Sequence, residues 1–179
     1  MSPPAVEIRP YQPADAAAVY QAIRESLPEL SQWLPDMNES TSLETVQAYI
    51  ARREDQANRR LAYDFVIVNK EDQSILGGCG LNQIKWQRGY ANLYYWVRTS
   101  QAGQGIAGEA ARQLARYGIR TLGLQRIEIL VAVENLASLR VVEKLGAARE
   151  GLLRNRIYVR GMWHDAYMHS LLAADFAEP

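Results

Sequence analysis

The feature that most constrains this chain is a strand that runs directly into three spaced glycines and then into a helix. The stretch is Tyr94-Tyr95-Trp96-Val97-Arg98-Thr99-Ser100-Gln101-Ala102-Gly103-Gln104-Gly105-Ile106-Ala107-Gly108-Glu109-Ala110. Glycines at 103, 105 and 108 let backbone N–H groups turn towards one point, and the helix start adds unsatisfied donors and partial positive charge. Together these make either an anion cradle suited to a pyrophosphate or a tight strand-to-helix turn that holds nothing. No Gly-Lys-Ser/Thr follows, which excludes a nucleoside-triphosphatase P-loop. The spacing is not G-x-G-x-x-G with an acid at the next strand end, which argues against a dinucleotide fold.

The chain has 179 residues with 20 basic and 20 acidic side chains, and 48% of its residues are apolar. That length reads as a single domain, 1–179, burying about 70% of its unfolded surface without metal or disulfide staples. Balanced charge speaks against nucleic-acid and membrane-surface roles, which usually need a basic excess. The lone cysteine, Cys79, cannot form an internal disulfide and points to a reducing compartment. It reads as a small buried residue. With two histidines and one cysteine far apart, no metal site is expected. The opening residues lack a basic-then-apolar signal layout, and no run reaches the ~20 apolar residues of a membrane span. The expectation is a cytoplasmic protein, monomer or homodimer.

Periodicity gives the order of elements. Residues 6–9 read as a strand, and a helix starts at Pro13 with Val19, Ile23 and Leu27 on one face. Pro28 and Pro35 bracket a segment, 29–34, that holds Trp33. Thr41 and Glu44 form a capping-box pattern opening a helix that runs to about Arg59, with Leu43, Val46 and Ile50 apolar. Strands follow at 65–68, 75–81 and 90–97, the second weakened or bulged by Gly77, Gly78 and Gly80. A helix over 105–122, a strand over 127–133 and a helix over 137–145 stopped by Gly146 come next. Strands at 151–159 and 162–172 close the chain around the hairpin signal Arg160-Gly161. This is a mixed α/β domain, antiparallel first and parallel where a helix crosses over.

Three blocks carry a family likeness. Ala102-Gly103-Gln104-Gly105-Ile106-Ala107 resembles the pyrophosphate loop of the GNAT acyltransferases, Gln/Arg-x-x-Gly-x-Gly/Ala; Gly105 and Ala107 match and Ala102 departs. Asn135 and Ser138, followed by Glu143-Lys144-Leu145-Gly146-Ala147, resemble that family's Asn-x-x-Ser and Glu-Lys-Leu-Gly-Phe run. Glu150-Gly151-Leu152-Leu153-Arg154 with Gly161 and Asp165 resembles the closing hairpin of its RimJ/RimL branch, the ribosomal-protein N-terminal acetyltransferases. Leu30-Ser31-Gln32-Trp33-Leu34-Pro35 is similar to that branch's helical opening.

The resemblance implies a single GNAT-like domain: a mixed sheet of about seven strands, helices on both faces, and two strands splayed at the cofactor site. It implies direct transfer of acetyl from acetyl-CoA to a primary amine, with a protein or peptide N-terminal α-amine as acceptor. Small-molecule amines and a non-catalytic CoA sensor are the rival readings. By resemblance Tyr95, Trp96, Val97 and Arg98 edge the cofactor, and Gly103, Gln104, Gly105, Ile106, Ala107 and Gly108 cradle its pyrophosphate. Arg98, Arg112 and Arg116 are candidates for its 3′-phosphate. Asn135 lies along the pantetheine arm and also suits a helix cap, while Ser138 faces the thioester sulfur. Trp33, Trp86 and Trp96 are candidate walls of the acceptor cleft. Relatives often carry Ala-Glu-Ile-Gly-Tyr-Trp before the loop; here Asn92 stands in the place of the Glu, so it positions acceptor or water and cannot act as a base.

Overall fold

β1 (Val6–Pro10), β2 (Tyr63–Asn69), β3 (Ile75–Lys85), β4 (Tyr90–Val97), β5 (Arg126–Ala132), β6 (Ala148–Val159) and β7 (Met162–Leu172) form one sheet, ordered β1-β2-β3-β4-β5-β7-β6. The computed structural model describes residues 5–176. Neighbouring strands are antiparallel except β4 and β5, which are parallel because a helix connects them.

Five helices pack on the two faces: α1 (Ala16–Leu30), α2 (Leu43–Ala51), α3 (Arg53–Asn58), α4 (Ile106–Arg116) and α5 (Leu136–Leu145). Val19, Ile23 and Leu27 of α1 and Val46 and Ile50 of α2 bury against Val66, Val68, Ile75 and Trp96. On the opposite face Ala110 and Leu114 of α4 and Val142 of α5 bury against Ile67, Leu81, Leu93, Ile127 and Ile129. Successive strand residues alternate between these two cores, which is why β4 is apolar or aromatic at every position but Asn92.

Several boundaries differ from the sequence reading. Pro28 lies inside α1, which continues to Leu30. The lost proline bond falls in the last turn, where buried Leu27 and Leu30 hold the helix to the sheet. The cap of α2 is Ser42 with Thr45, not Thr41 with Glu44: Ser42 Oγ accepts from Thr45 N at 3.3 Å and Thr45 Oγ1 accepts from Ser42 N at 2.9 Å. The expected continuous helix to Arg59 is broken at Arg52 into α2 and α3. After α4 the chain widens into a π-turn over Tyr117–Thr121.

The β3 glycines keep regular register, and the bulge falls beside them, where Ile67 pairs with Gly77 and Val68 with Ile75. Their reason is side-chain room. A Cβ on Gly80 would collide with Asp64 Oδ1, and one on Gly78 with the Tyr11 hydroxyl.

Candidate active site

The site begins where β4 and β5 part. They pair only through Tyr90↔Arg126, Ala91↔Ile127 and Asn92↔Glu128. Beyond that, each strand is bonded only on its outer side. Arg98 N donates to Leu76 O at 2.9 Å, so alternation turns the backbone of Trp96 and Tyr94 to β3 and that of Leu93, Tyr95 and Val97 towards β5. On the other bank Val133 N donates to Asp165 O at 3.0 Å, which leaves Leu130 and Ala132 facing β4. The gap is thus edged on both sides by backbone groups free to bond an amide-like arm. Of the expected stretch, Tyr95 and Val97 open to it. Trp96 does not: its backbone faces β3, and its indole, 4% exposed, belongs to the α1–α2 core.

Two side chains close the gap on the α4–α5 face. Asn135 caps α5, its Oδ1 accepting from Ser138 N at 3.1 Å, as its residue type predicts. Ser138 Oγ lies 2.7 Å from the Tyr95 hydroxyl, so strand and helix are bridged over the opening. Burial pushes the Tyr95 phenol up to about 12, against the opposing pull of its bond to Ser138. Tyr95 therefore stays protonated at neutral pH and can donate to Ser138 Oγ, leaving the serine proton to point elsewhere.

The loop at the far end is clamped from behind. Thr99 N donates to Ser26 Oγ at 2.8 Å, Ser100 N to Glu25 Oε1 at 3.0 Å, and Thr99 Oγ1 to Glu29 Oε2 at 3.0 Å. Arg98 joins this clamp through Nε to Glu25 Oε2 at 3.1 Å, a second guanidinium contact to the same oxygen, and NH1 to Ile75 O at 3.3 Å. The Arg98 guanidinium, with Ser100 behind it, holds the Glu25 carboxyl at about 2. The guanidinium expected at the 3′-phosphate is therefore committed to α1, a partner 73 positions away. Arg112 is half-buried and Arg116 exposed, neither in an ion pair among the described residues.

In front of the clamp the loop is open. Gly103 and Gly105 have φ of 80° and 82°, the left-handed region that glycine enters freely. A Cβ built on Gly103, Gly105 or Gly108 meets nothing within 4 Å, so the outer side of the loop is open. Gly105 caps α4 with no side-chain bond, and the first amides of the helix, at Ile106, Ala107 and Gly108, have no intrahelical acceptor. Ile106 offers only its amide, because its side chain is 2% exposed. Gln104 turns its side chain to Gln101 at 3.1 Å and leaves its backbone to the mouth. These groups suit a pyrophosphate, and the gap suits the arm of the same molecule.

The opposite face of β4 carries a network that sequence reasoning missed. Tyr94 donates to Asp64 Oδ1 at 2.5 Å, Tyr49 and Tyr94 hydroxyls are 3.1 Å apart, and Arg53 NH1 donates to Asp64 Oδ2 at 2.6 Å. Burial raises the Tyr94 phenol well above its ordinary value. The available signal was Tyr94 in the place of the glycine in the Ala-Glu-Ile-Gly-Tyr-Trp pattern of the resemblance; in the structure Gly80 stands opposite it. Asn92 shares this face, its Nδ2 donating to Asn82 Oδ1 at 2.9 Å. Trp33 packs edge-on to His164, centroids 5.9 Å apart, and His164 Nδ1 is 3.5 Å from Glu134 Oε2. Trp86 is elsewhere, bonded to Arg60 O at 2.9 Å, and so is not a wall of this cleft. Cys79 is buried, and burial raises its thiol pKa.

With this geometry in hand, comparison with known proteins is informative. The model of the acetyltransferase (GNAT) domain matches residues 5–148. The chain is 39% identical to the uncharacterized N-acetyltransferase p20 of Bacillus licheniformis over 69% of this chain and 67% of that protein. It is 27% identical to the ribosomal-protein-serine acetyltransferase of Escherichia coli (strain K12), over 58% of each chain. The structure of Mycobacterium smegmatis RimJ in complex with CoA-disulfide superposes with a TM-score of 0.85, at 25% identity, over 97% of this chain and 84% of that one.

Proposed function

The chain belongs to the GNAT acetyltransferase family, enzymes that transfer acetyl from acetyl-CoA to amines, and from that membership we propose an N-terminal α-amine of a protein or peptide as its acceptor. The observation that carries the reading is the β4–β5 gap, bridged by Tyr95 and Ser138 and leading to the open glycine loop at Gly103 and Gly105. The choice of a protein acceptor is supported by the relative named as a ribosomal-protein-serine acetyltransferase. The single cysteine, buried, fits a reducing cytoplasmic setting.

When bound, acetyl-CoA supplies a thioester carbonyl open to attack by an amine. The amides of Gln104, Ile106, Ala107 and Gly108 would hold its pyrophosphate, and the backbone of Tyr95 and Val97 its arm. The Asn135 Nδ2 group, left over from the cap, adds a donor beside that arm. An amide of the open β4 edge would polarise the carbonyl, as oxyanion donors do. Ser138, accepting from Tyr95, would donate a hydrogen bond from its own hydroxyl to the departing sulfur.

Asn92 has no proton-accepting chemistry at useful pH and holds acceptor or water with Asn82. An α-amine, with a pKa of about 8 against about 10.4 for lysine, loses its proton at neutral pH with little help.

Mass spectrometry of peptides and small amines incubated with acetyl-CoA tests the reading. Acetylation at peptide N-termini is expected. Turnover of polyamines or aminoglycosides alone would overturn the acceptor class, and binding of acetyl-CoA without any turnover would favour a sensor.

A further inference from the structure

The gap between β4 and β5 closes at one rung, Asn92 opposite Glu128. Aligned residues of neighbouring strands share a face, as Ala91 and Ile127 share the α4–α5 core. Asn92 and Glu128 therefore stand together on the other face. The same row continues on both sides, to Asn82 on β3 and Ser170 on β7. α1 and α2 pack over β2, β3 and β4, and no residue of β5, β6 or β7 joins their core. Glu128 thus lies where those helices leave the sheet uncovered, at the closed end of the gap and on the side away from Ser138.

Its carboxylate is held but not used up. Oε1 accepts from Arg126 Nε at 2.9 Å, while Oε2 has no hydrogen-bond partner among the described residues. The Glu128 side chain is 22% exposed, enough to be reached from outside. Arg126 gives its other nitrogens to Glu150, NH1 donating to Oε1 at 2.7 Å. Two carboxylates thus share one guanidinium, and the trio carries a formal negative excess. Asp64, on the same face of β2, has no such oxygen to spare, giving one to Tyr94 and the other to Arg53. Glu134 lies past the end of β5, beside His164. Of the backbone groups that face the gap, those of Leu93 come first after the rung, about 3.3 Å along the strand. An amine that attacks a carbonyl polarised there arrives within side-chain reach of Glu128.

We propose that Glu128 binds the amine of the acceptor, its Oε2 taking a hydrogen bond from the amine N–H and setting the nitrogen beside the gap. The proposal rests on the reading of that gap as the seat of acetyl-CoA. An ammonium on a carboxylate bonds about twice as strongly as a neutral pair, and partial exclusion of water strengthens it further. Asn92, its neighbour on the rung, offers hydrogen bonds without charge. The role is orientation: the amine gives up its proton to solvent, and the pH dependence remains the acceptor's own. Acetylation removes the positive charge, so the product loses the hold that the substrate had.

The test compares two peptides of one sequence, one with its free α-amine and one with hydrogen in place of that amine. Each is titrated by calorimetry into the enzyme loaded with CoA. The free-amine peptide is expected to bind roughly tenfold more tightly, the worth of one charge-assisted hydrogen bond, with the margin shrinking at high salt. Glu128→Gln should erase the margin by weakening only the free-amine peptide, and should raise that peptide's KM by a similar factor while the Kd for acetyl-CoA holds. Glu150→Gln removes the other partner of Arg126 and should leave the margin in place, which separates charge at the rung from support of the arginine.

Equal weakening of both peptides by Glu128→Gln marks a structural role and overturns the proposal, as does a margin that the variant leaves intact; acetyl-CoA binding and the acceptor class then still stand. Acetyl-CoA affinity that survives Gly105→Val overturns the cofactor reading and the proposal with it. If only small amines are acetylated, the peptide acceptor falls. A rise in the KM of those amines in Glu128→Gln then keeps the proposal, and an unchanged KM overturns it.

Discussion

The hydroxyls of Tyr95 and Ser138, one on a strand and one on a helix, meet at 2.7 Å over the opening between β4 and β5. If Ser138 is the donor to the departing sulfur and Tyr95 acts by holding it, the two contribute as one unit. Ser138→Ala should lower kcat by 10- to 100-fold, about 1.4 to 2.7 kcal/mol, with acetyl-CoA affinity nearly unchanged. Tyr95→Phe should cost less, and the double variant no more than Ser138→Ala alone. Additive losses in that cycle would separate the two roles.

Gly105 tests the cradle. Its φ of 82° is strained for any residue with a Cβ, at a cost of about 1–2 kcal/mol, although nothing stands within 4 Å to clash. Gly105→Val should therefore fold with native circular dichroism and a lowered Tm while binding acetyl-CoA at least tenfold more weakly. The expected thermal signature in the parent is a Tm raised by acetyl-CoA but not by NAD or ATP. A ligand at 100 times its Kd adds about 2.7 kcal/mol.

The proton inventory at Asn92 predicts a pH profile set by the substrate. kcat/KM should rise with pH through the acceptor's own amine pKa, and the inflection should move when the acceptor is changed. Asn92→Asp with Asn82 unchanged should introduce a second, acceptor-independent inflection in the acidic range. An inflection fixed across acceptors of different pKa in the parent would reveal an enzyme base.

The clamp behind the loop has its own acid signature. The Glu25 carboxyl, at about 2 when folded against an ordinary 4.5, contributes stability above pH 4.5 that is lost as pH falls towards 2. The Tm difference between the parent and Glu25→Gln should be full at pH 7, shrink below pH 4.5 and close near pH 2. Acetyl-CoA affinity of Glu25→Gln at pH 7 should fall, because Arg98 and Ser100 lose their anchor.

What the sequence made legible was what local pattern encodes. The strand entering three glycines, the Asn135 cap and the apolar spacing of α1 are written within a turn or two of chain. Thr41 and Ser42 are both good caps, and only the backbone of Ser42, at φ −116° and ψ 168°, decides between them. The Arg98–Glu25 clamp joins residues 73 positions apart, and the Tyr94–Asp64–Arg53 network joins three elements. No periodicity reports such meetings. The network left one local trace, a tyrosine at 94 where the family pattern has glycine, and the clamp left none.

The short pairing between β4 and β5 makes the sheet mechanically uneven. β1 to β4 are paired in sequence, as are β5 to β7, yet strand pairing joins the two plates only at the Tyr90–Asn92 end. Past that end, what spans the gap is the Tyr95–Ser138 bond and the packing of α4 and α5 beneath both plates. A molecule bonded to both plates would splint them, supplying across the gap the backbone bonds that strand pairing does not make there.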